Sequence, residues 1–239
     1  MSKIAIVGHG NVGFHLAKKF SKDHEVNVFT RNPDSLEQHP LQLLSPTNFD
    51  MVFLTVPDSA VKVVSEQLEP SEAVIVHTSG SRPISDLDRH DRRGVFYPLQ
   101  TFSKNKKIDF AEVQVFVEGT PKSEAEILAL AKGSFEQVRV MSSAERAKIH
   151  LAAVFACNFS NHMFEISDRH LHDIGMKFQD LLPLVTETLS KAVKLNPSNS
   201  QTGPAVRNDQ VTIDQHVQML DDRERMIYEI ITKNIQQTH

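Results

Sequence analysis

Gly8, Gly10 and Gly13 stand as G-x-G-x-x-G in the stretch "KIAIVGHGNVG". Glycines at this spacing, where a strand ends and a helix begins, suit the binding of a pyrophosphate. The first allows a tight turn, the second lets the main chain approach the phosphates, and the third lets the helix pack close to the strand. His9, Asn11 and Val12 fill the positions between them. The helix that follows adds unpaired amides and the positive end of its dipole. A second strand-like run, "EVNVFT", comes soon afterwards, and that context favours a nucleotide loop over a glycine-rich turn with no ligand.

This second run ends on Thr30, Arg31 and Asn32. A site for NAD usually has a carboxylate here, which accepts from the ribose hydroxyls. A guanidinium offers a planar fork of donors that fits a phosphate monoester. The three residues therefore match the 2′-phosphate of NADP, the alternative being an exposed loop arginine. Further along, Val56 and Pro57 in "TVPDS" and His77, Thr78, Ser79 and Gly80 in "HTSGS" follow later strands. Ligands of open α/β sheets gather at such strand ends. Val56 and Pro57 are expected beside the adenosine, and the "HTSGS" residues beside a nicotinamide and its substrate. His77 reads equally well as a capping or core histidine.

From Ile149 to Phe159 the chain is apolar on nearly every side, which predicts a buried helix at the axis of a second domain. At about 100° per residue, His150, Cys157, Asn158, Asn161 and Glu165 share one stripe. An unpaired buried polar group costs about 1–3 kcal/mol, so the stripe needs partners. These are protein groups, water, or a ligand in a cleft between the domains. In the ligand reading His150 and Asn158 face the nicotinamide, and His150 gives or takes the proton because imidazole titrates near neutrality. Tyr97 and Gln100 in "YPLQTF" lie at a strand exit on the same edge, Tyr97 as a second proton donor or as a packed tyrosine. Arg207 in "QTGPAVRND" is a candidate for a substrate carboxylate, or else part of a helix start beside Asp209. Cys157 reads as a small core residue. "DLDRHDRR" reads as a solvated helix end. His170 and His172 are two apart and do not share a helical face, so no metal site is expected.

The elements that must hold these residues alternate. Short runs rich in Val and Ile ("KIAIVG", "EVNVFT", the weaker "LQLL", "MVFLTV", "AVIVHTS") are separated by helical patterns, which implies parallel strands buried on both faces. "GVFYP", "VQVFVEG" and "QVRVM" extend the sheet to about eight strands. After Met141 the pattern is helical almost throughout, with Ser143 as the expected N-cap of the first helix. The fold class is α/β, a Rossmann-type doubly wound, mostly parallel sheet followed by an all-α domain. Residues 1–141 form the nucleotide-binding domain and 142–239 a helical domain for substrate and dimerisation.

The chain's 239 residues are enough for one large domain or two modest ones with real cores. Its net charge of −4 argues against a nucleic-acid partner. Cys157 is the only cysteine, so no internal disulfide forms, which fits a cytoplasmic protein. Nothing reads as a signal peptide, and no apolar run approaches the roughly 18 residues of a membrane span.

"GVFYPLQTFS", "IHLAAVFACNFSNHM" and "QTGPAVRND", together with "GHGNVG" and "HTSGS", resemble a family of candidate NADP oxidoreductases with a Rossmann-like domain and a helical domain of unassigned function. The resemblance covers nearly the whole chain. That family is distantly related to pyrroline-5-carboxylate reductase and to the beta-hydroxyacid dehydrogenases. The resemblance implies NADP as the ligand and a homodimer built through the helical domain. In the hydroxyacid dehydrogenases a lysine and a nearby asparagine on the first long helix of the second domain do acid–base work. Lys148 invites that role, but Leu151 stands where Lys-x-x-Asn requires asparagine, so Lys148 ranks behind His150. The expected function is transfer of a hydride from NADPH to a small carbonyl or imine. The alternative is a non-catalytic NADP(H) sensor that acts through a helical dimer.

Overall fold

The computed structural model describes residues 1–35 and 37–239. They form two compact units, Met1–Cys157 and Asn158–His239. The first is built on one sheet of eight strands: β1 (Lys3–Val7), β2 (Glu25–Thr30), β3 (Gln38–Pro40), β4 (Met51–Leu54), β5 (Val74–His77), β6 (Arg93–Leu99), β7 (Gln114–Gly119) and β8 (Gln137–Val140). Their spatial order is β3-β2-β1-β4-β5-β6-β7-β8. All neighbours run parallel except β6 and β7. The chain moves outward from β1 through β2 to β3, then returns to place β4 on the other side of β1. That reversal opens a crevice outside the carboxyl ends of β1 and β4.

The alternation of side chains along the strands divides the core in two. Ile4 and Ile6, Met51 and Phe53, and Val74 and Val76 face one side, with Leu16 and Phe20 of α1 (Asn11–Phe20) and Ile127 of α3 (Glu124–Ser134) packed on them. Phe20, Phe53 and Phe96 meet here in tilted or edge-on contacts, their centroids 5.3 to 5.8 Å apart. Ala5 and Val7, Val52 and Leu54, and Ile75 face the other side, covered by Val61 and Val64 of α2 (Val61–Gln67). Burial on both faces explains why these strands read as unbroken apolar runs.

Two expectations for this unit need correction. "LQLL" is not a strand: Gln38 opens the strand that pairs with β2, and Leu41–Leu43 form a 3₁₀ turn whose Leu41 packs toward the core. "DLDRHDRR" is not wholly solvated. His90 is buried and its Nε2 bonds the Ser65 carbonyl at 3.1 Å, while Arg93 opens β6 and pairs with Asp88.

The helical stretch after β8 begins, still within the first unit, with α4 (Ser143–Ala153), whose N-cap is Ser142 rather than Ser143. Ser142 and Glu145 close a capping box, each side chain bonding the other residue's main-chain amide. A π-helical stretch, Val154–Phe159, leads without a break into α5 (Ser160–His172). The expected buried axis is not observed. Leu151, Phe155 and Phe159 are 58%, 61% and 50% exposed, and Cys157 lies on the surface rather than in a core. An apolar pattern on all sides states what the helix avoids, not which surface covers it. The π-helical stretch also changes the turn from Val154 onward, so one stripe at 100° per residue no longer describes it.

The second unit contains α5, followed by α6 (Leu182–Leu195), α7 (Gln210–Met219) and α8 (Asp222–Thr238). Asp209 and Asp221 cap α7 and α8, accepting from main-chain amides of the first turn. Among the described residues no helix is long and apolar enough to cross a membrane.

Candidate functional site

The crevice between β1 and β4 is a cleft of about 410 Å³. Gly8, His9, Gly10, Thr30, Arg31, Asn32, Val56 and Pro57 all line it, so the structure brings these expected cofactor residues together. Gly8 has φ +102°, and a Cβ there would lie 2.9 Å from the carbonyl oxygen of Thr55. Gly13 sits beneath the loop, where a side chain would run into the Gly8 carbonyl and the Thr55 hydroxyl. Gly10, the N-cap of α1, has nothing within 4 Å of a Cβ position and faces open space.

The first turn of α1 has no side-chain cap and no acidic residue. Its leading amides and dipole are therefore left for an anion. Asn11 is engaged elsewhere: its Oδ1 accepts from the Lys104 amide at 3.3 Å. Together with the 2.8 Å bond from His15 Nε2 to the Ser103 carbonyl, this ties the segment after β6 to the start of α1. Val12 is half-buried and packs on the core.

Arg31 is exposed at the end of β2 and has no ion-pair partner among the described residues. These features fit a phosphorylated dinucleotide: open amides for the pyrophosphate, a turn with no room for a side chain at Gly8 or Gly13, and a guanidinium without an ion-pair partner among the described residues for a further phosphate.

Among the lining residues that sequence reasoning missed are Thr55, Asp34 and Gln38. Thr55 Oγ1 donates to the carbonyls of Val7 and Gly8 at 3.0 and 2.9 Å, so it holds the glycine turn in place from the end of β4. Asp34 and Gln38 line the cleft and bond one another and His9. Only the position of Thr55, directly before Val56 and Pro57, gave a signal in the sequence.

A second cluster forms where the β5 exit loop meets β6 and α4. Tyr97 Oη and His150 Nδ1 are 3.2 Å apart, with their rings nearly perpendicular. Gly80 lies directly against both, for a Cβ there would be 2.6 Å from His150 Nδ1 and 2.7 Å from Tyr97 Cζ. Burial, then the Asp58 carboxylate, raises the Tyr97 phenol above its ordinary pKa, which keeps it protonated. Asp58 itself accepts from Ser81 Oγ at 2.5 Å.

The rest of "HTSGS" builds the loop. His77 is fully buried, and its Nδ1 accepts from the Ser79 amide at 3.2 Å. Thr78 bonds the Leu54 carbonyl, and Ser79 Oγ accepts from the amides of Ser81 and Arg82. Burial, reinforced by the Arg146 guanidinium, lowers the His77 pKa to about 4, so the ring is neutral near pH 7.

His150 is held in place by its own helix. Arg146, one turn earlier and 1% exposed, donates to Glu118 Oε2 of β7 and to the Arg82 carbonyl, both at 2.5 Å. Ser143 Oγ donates to the same carboxylate oxygen at 2.6 Å and accepts from the Ile84 amide. These bonds fasten the first turns of α4 to the sheet and to the β5 exit loop.

The remaining candidates do not join this cluster. Lys148 is exposed, and two residues of helix turn it about 200° from His150. Asn158 is exposed in the π-helical stretch. Gln100 is exposed, with its Oε1 accepting from Thr101. Arg207 is exposed in the second unit. His170 pairs with Glu224 at 2.9 Å.

Residues 3–79 match a family described as NADP oxidoreductase, coenzyme F420-dependent, and residues 113–235 match a domain of unknown function, DUF2520. The chain is similar to a candidate NADP oxidoreductase from Bacteroides fragilis, with 33% identity over 99% of this chain and 98% of that one and a TM-score of 0.88. A protein from Thermotoga maritima shares the fold at 21% identity over 98% and 97% of the two chains, with a TM-score of 0.70. So does a reductive aminase from Aspergillus terreus, solved with NADPH and ethyl levulinate, at 14% identity over 98% and 93% and a TM-score of 0.69. No curated protein matches the chain.

Proposed function

Because the chain belongs to the DUF2520 family and pairs that domain with an NADP-oxidoreductase N-terminal region, we propose that it is an NADP(H)-dependent oxidoreductase acting on a small carbonyl or imine. The observation that carries this reading is the cleft. An uncapped helix N-terminus, a glycine turn and an Arg31 with no ion-pair partner among the described residues line one crevice at the topological switch point. NADP is the cofactor that such a site suits, and when bound it supplies the hydride.

In this reading the main chain of Gly8, His9 and Gly10 holds the pyrophosphate. Thr30, Arg31 and Asn32 take the 2′-phosphate, while Val56 and Pro57 lie along the adenosine. The proton comes from the Tyr97–His150 pair. Tyr97 stays protonated because its pKa is raised, and His150 stands at hydrogen-bond distance to return the proton it gives up. Gly80 lets these two rings close on the loop, since any side chain there would part them.

A panel of aldehydes, keto acids and imines, followed by loss of NADPH fluorescence, tests this function. Turnover is expected with at least one class. His150→Ala is expected to lower kcat by about 10²-fold or more while NADPH affinity holds. Tight NADPH binding without turnover on any class, unaffected by His150→Ala, would favour a nucleotide sensor instead.

The second unit exposes Leu184, Leu189 and Val193 on α6 and Met226 and Ile230 on α8, each more than 60% accessible. Exposed apolar side chains on these two helices support an association face. The proposal includes a homodimer formed through these helices.

A further inference from the structure

The nucleotide cleft holds one acid and one strong cation three positions apart, Asp34 and Arg31. Left to themselves, two such groups would neutralise each other. A free carboxylate there would also accept from ribose hydroxyls and repel a phosphate, favouring NADH. Neither arrangement is seen. Asp34 makes no ion pair with Arg31, and its side chain is turned to Gln38.

Gln38 opens β3 and is almost wholly buried. Its carboxamide makes three bonds. Oε1 accepts from the Asp34 amide at 3.3 Å, and Nε2 donates to Asp34 Oδ1 at 2.5 Å and to His9 Nδ1 at 3.1 Å. The partners fix the orientation of the amide. Flipped, it would set a donor against the Asp34 N–H and an acceptor against its carboxylate. One side chain thus holds the acid from both its main chain and its carboxylate, and links it to the glycine turn.

We propose that Gln38 is a positioning residue for cofactor selection, holding the Asp34 carboxylate away from Arg31 and from the ribose so that the guanidinium is left for a 2′-phosphate. The inference rests on the NADP reading above and adds the device that keeps that preference. Nothing in the motif itself reveals it, since Gln38 lies outside the glycine loop and beyond the strand end that bears Arg31.

The test is a titration of the full-length chain with NADPH and with NADH, read by nucleotide fluorescence, in four proteins: unmodified, Gln38→Leu, Asp34→Asn and the double variant. Gln38→Leu is expected to weaken NADPH binding by about tenfold and to leave NADH binding unchanged or tighter, lowering the NADPH-to-NADH preference. Asp34→Asn is expected to keep the preference. The double variant is expected to recover most of it, because no free carboxylate remains to be restrained. If Gln38→Leu does not fold, Gln38→Glu serves in its place: a second carboxylate repels Asp34, and the same fall in preference is expected. Equal losses for both nucleotides, or no recovery in the double variant, would overturn the proposal while leaving the NADP site intact. An unmodified protein that binds neither nucleotide would overturn the NADP reading and this proposal with it.

Discussion

Arg31 directly follows β2 with an exposed guanidinium and no acidic partner among the described residues, which is the state a phosphate-binding arginine needs before its ligand arrives. Arg31→Asp is expected to weaken NADPH binding by at least about tenfold, with a much smaller change for NADH, by calorimetry. Equal losses would remove its assigned role. His77 gives a different test. Its folded pKa of about 4 lies below the usual 6.5, so below pH 6.5 the unfolded chain takes up a proton that the folded chain refuses. The His77 contribution is therefore fully present above pH 6.5 and falls by about 3 kcal/mol as the pH drops toward 4. Urea midpoints at pH 7.5 and 4.5 measure it, and His77→Leu is expected to flatten the dependence relative to the unmodified chain; an unchanged slope would count against it. At this scale the glycines and Arg31 were legible because their chemistry is local: spacing and a strand end define them. Gln38 and Thr55 were not, since Thr55 bonds the distant Val7 and Gly8, and Gln38 links nearby Asp34 to the distant His9. Cys157 was misread because its neighbours are apolar and yet exposed.

Single residues act only as far as their elements hold them, and α4 shows how. Its first turns are bonded to β7 and to the β5 exit loop through Arg146, Ser143 and Glu118, which fixes where His150 meets Tyr97. Arg146→Ala leaves a largely buried carboxylate without its cation, a change that costs about 3–5 kcal/mol in comparable buried pairs. Denaturant unfolding is expected to show a loss of that order, together with a lower kcat through the displaced His150. A change below about 1 kcal/mol, the range of surface pairs, would show that the anchor contributes little. Most elements could be read from the sequence, because buried parallel strands and amphipathic helices each have their own periodicity. The edge strand at Gln38–Pro40 could not, being three residues long and polar. The π-helical stretch has no periodic signature, and the true N-cap differed by one residue because Ser142 and Ser143 are chemically alike.

For the molecule as a whole, the sequence separated a strand-rich part from a helical part at Met141; the described chain forms two compact units, Met1–Cys157, which includes α4, and Asn158–His239. Burial was misjudged at Ile149–Phe159, where Leu151, Phe155 and Phe159 are exposed, and apolar side chains on α6 and α8 are exposed in a single chain as well. The proposed dimer explains that surface. Sedimentation is expected to give twice the chain mass, and Leu189→Asp with Val193→Asp is expected to shift it toward monomer; a monomer at high micromolar concentration would refute the dimer. The central claim is that the cleft between β1 and β4 takes NADP(H). Calorimetric titration of the unmodified protein with NADPH tests it most directly. Saturable heat is expected, with NADPH bound at least about tenfold more tightly than NADH. No heat with millimolar NADPH, or a preference for NADH, would contradict it.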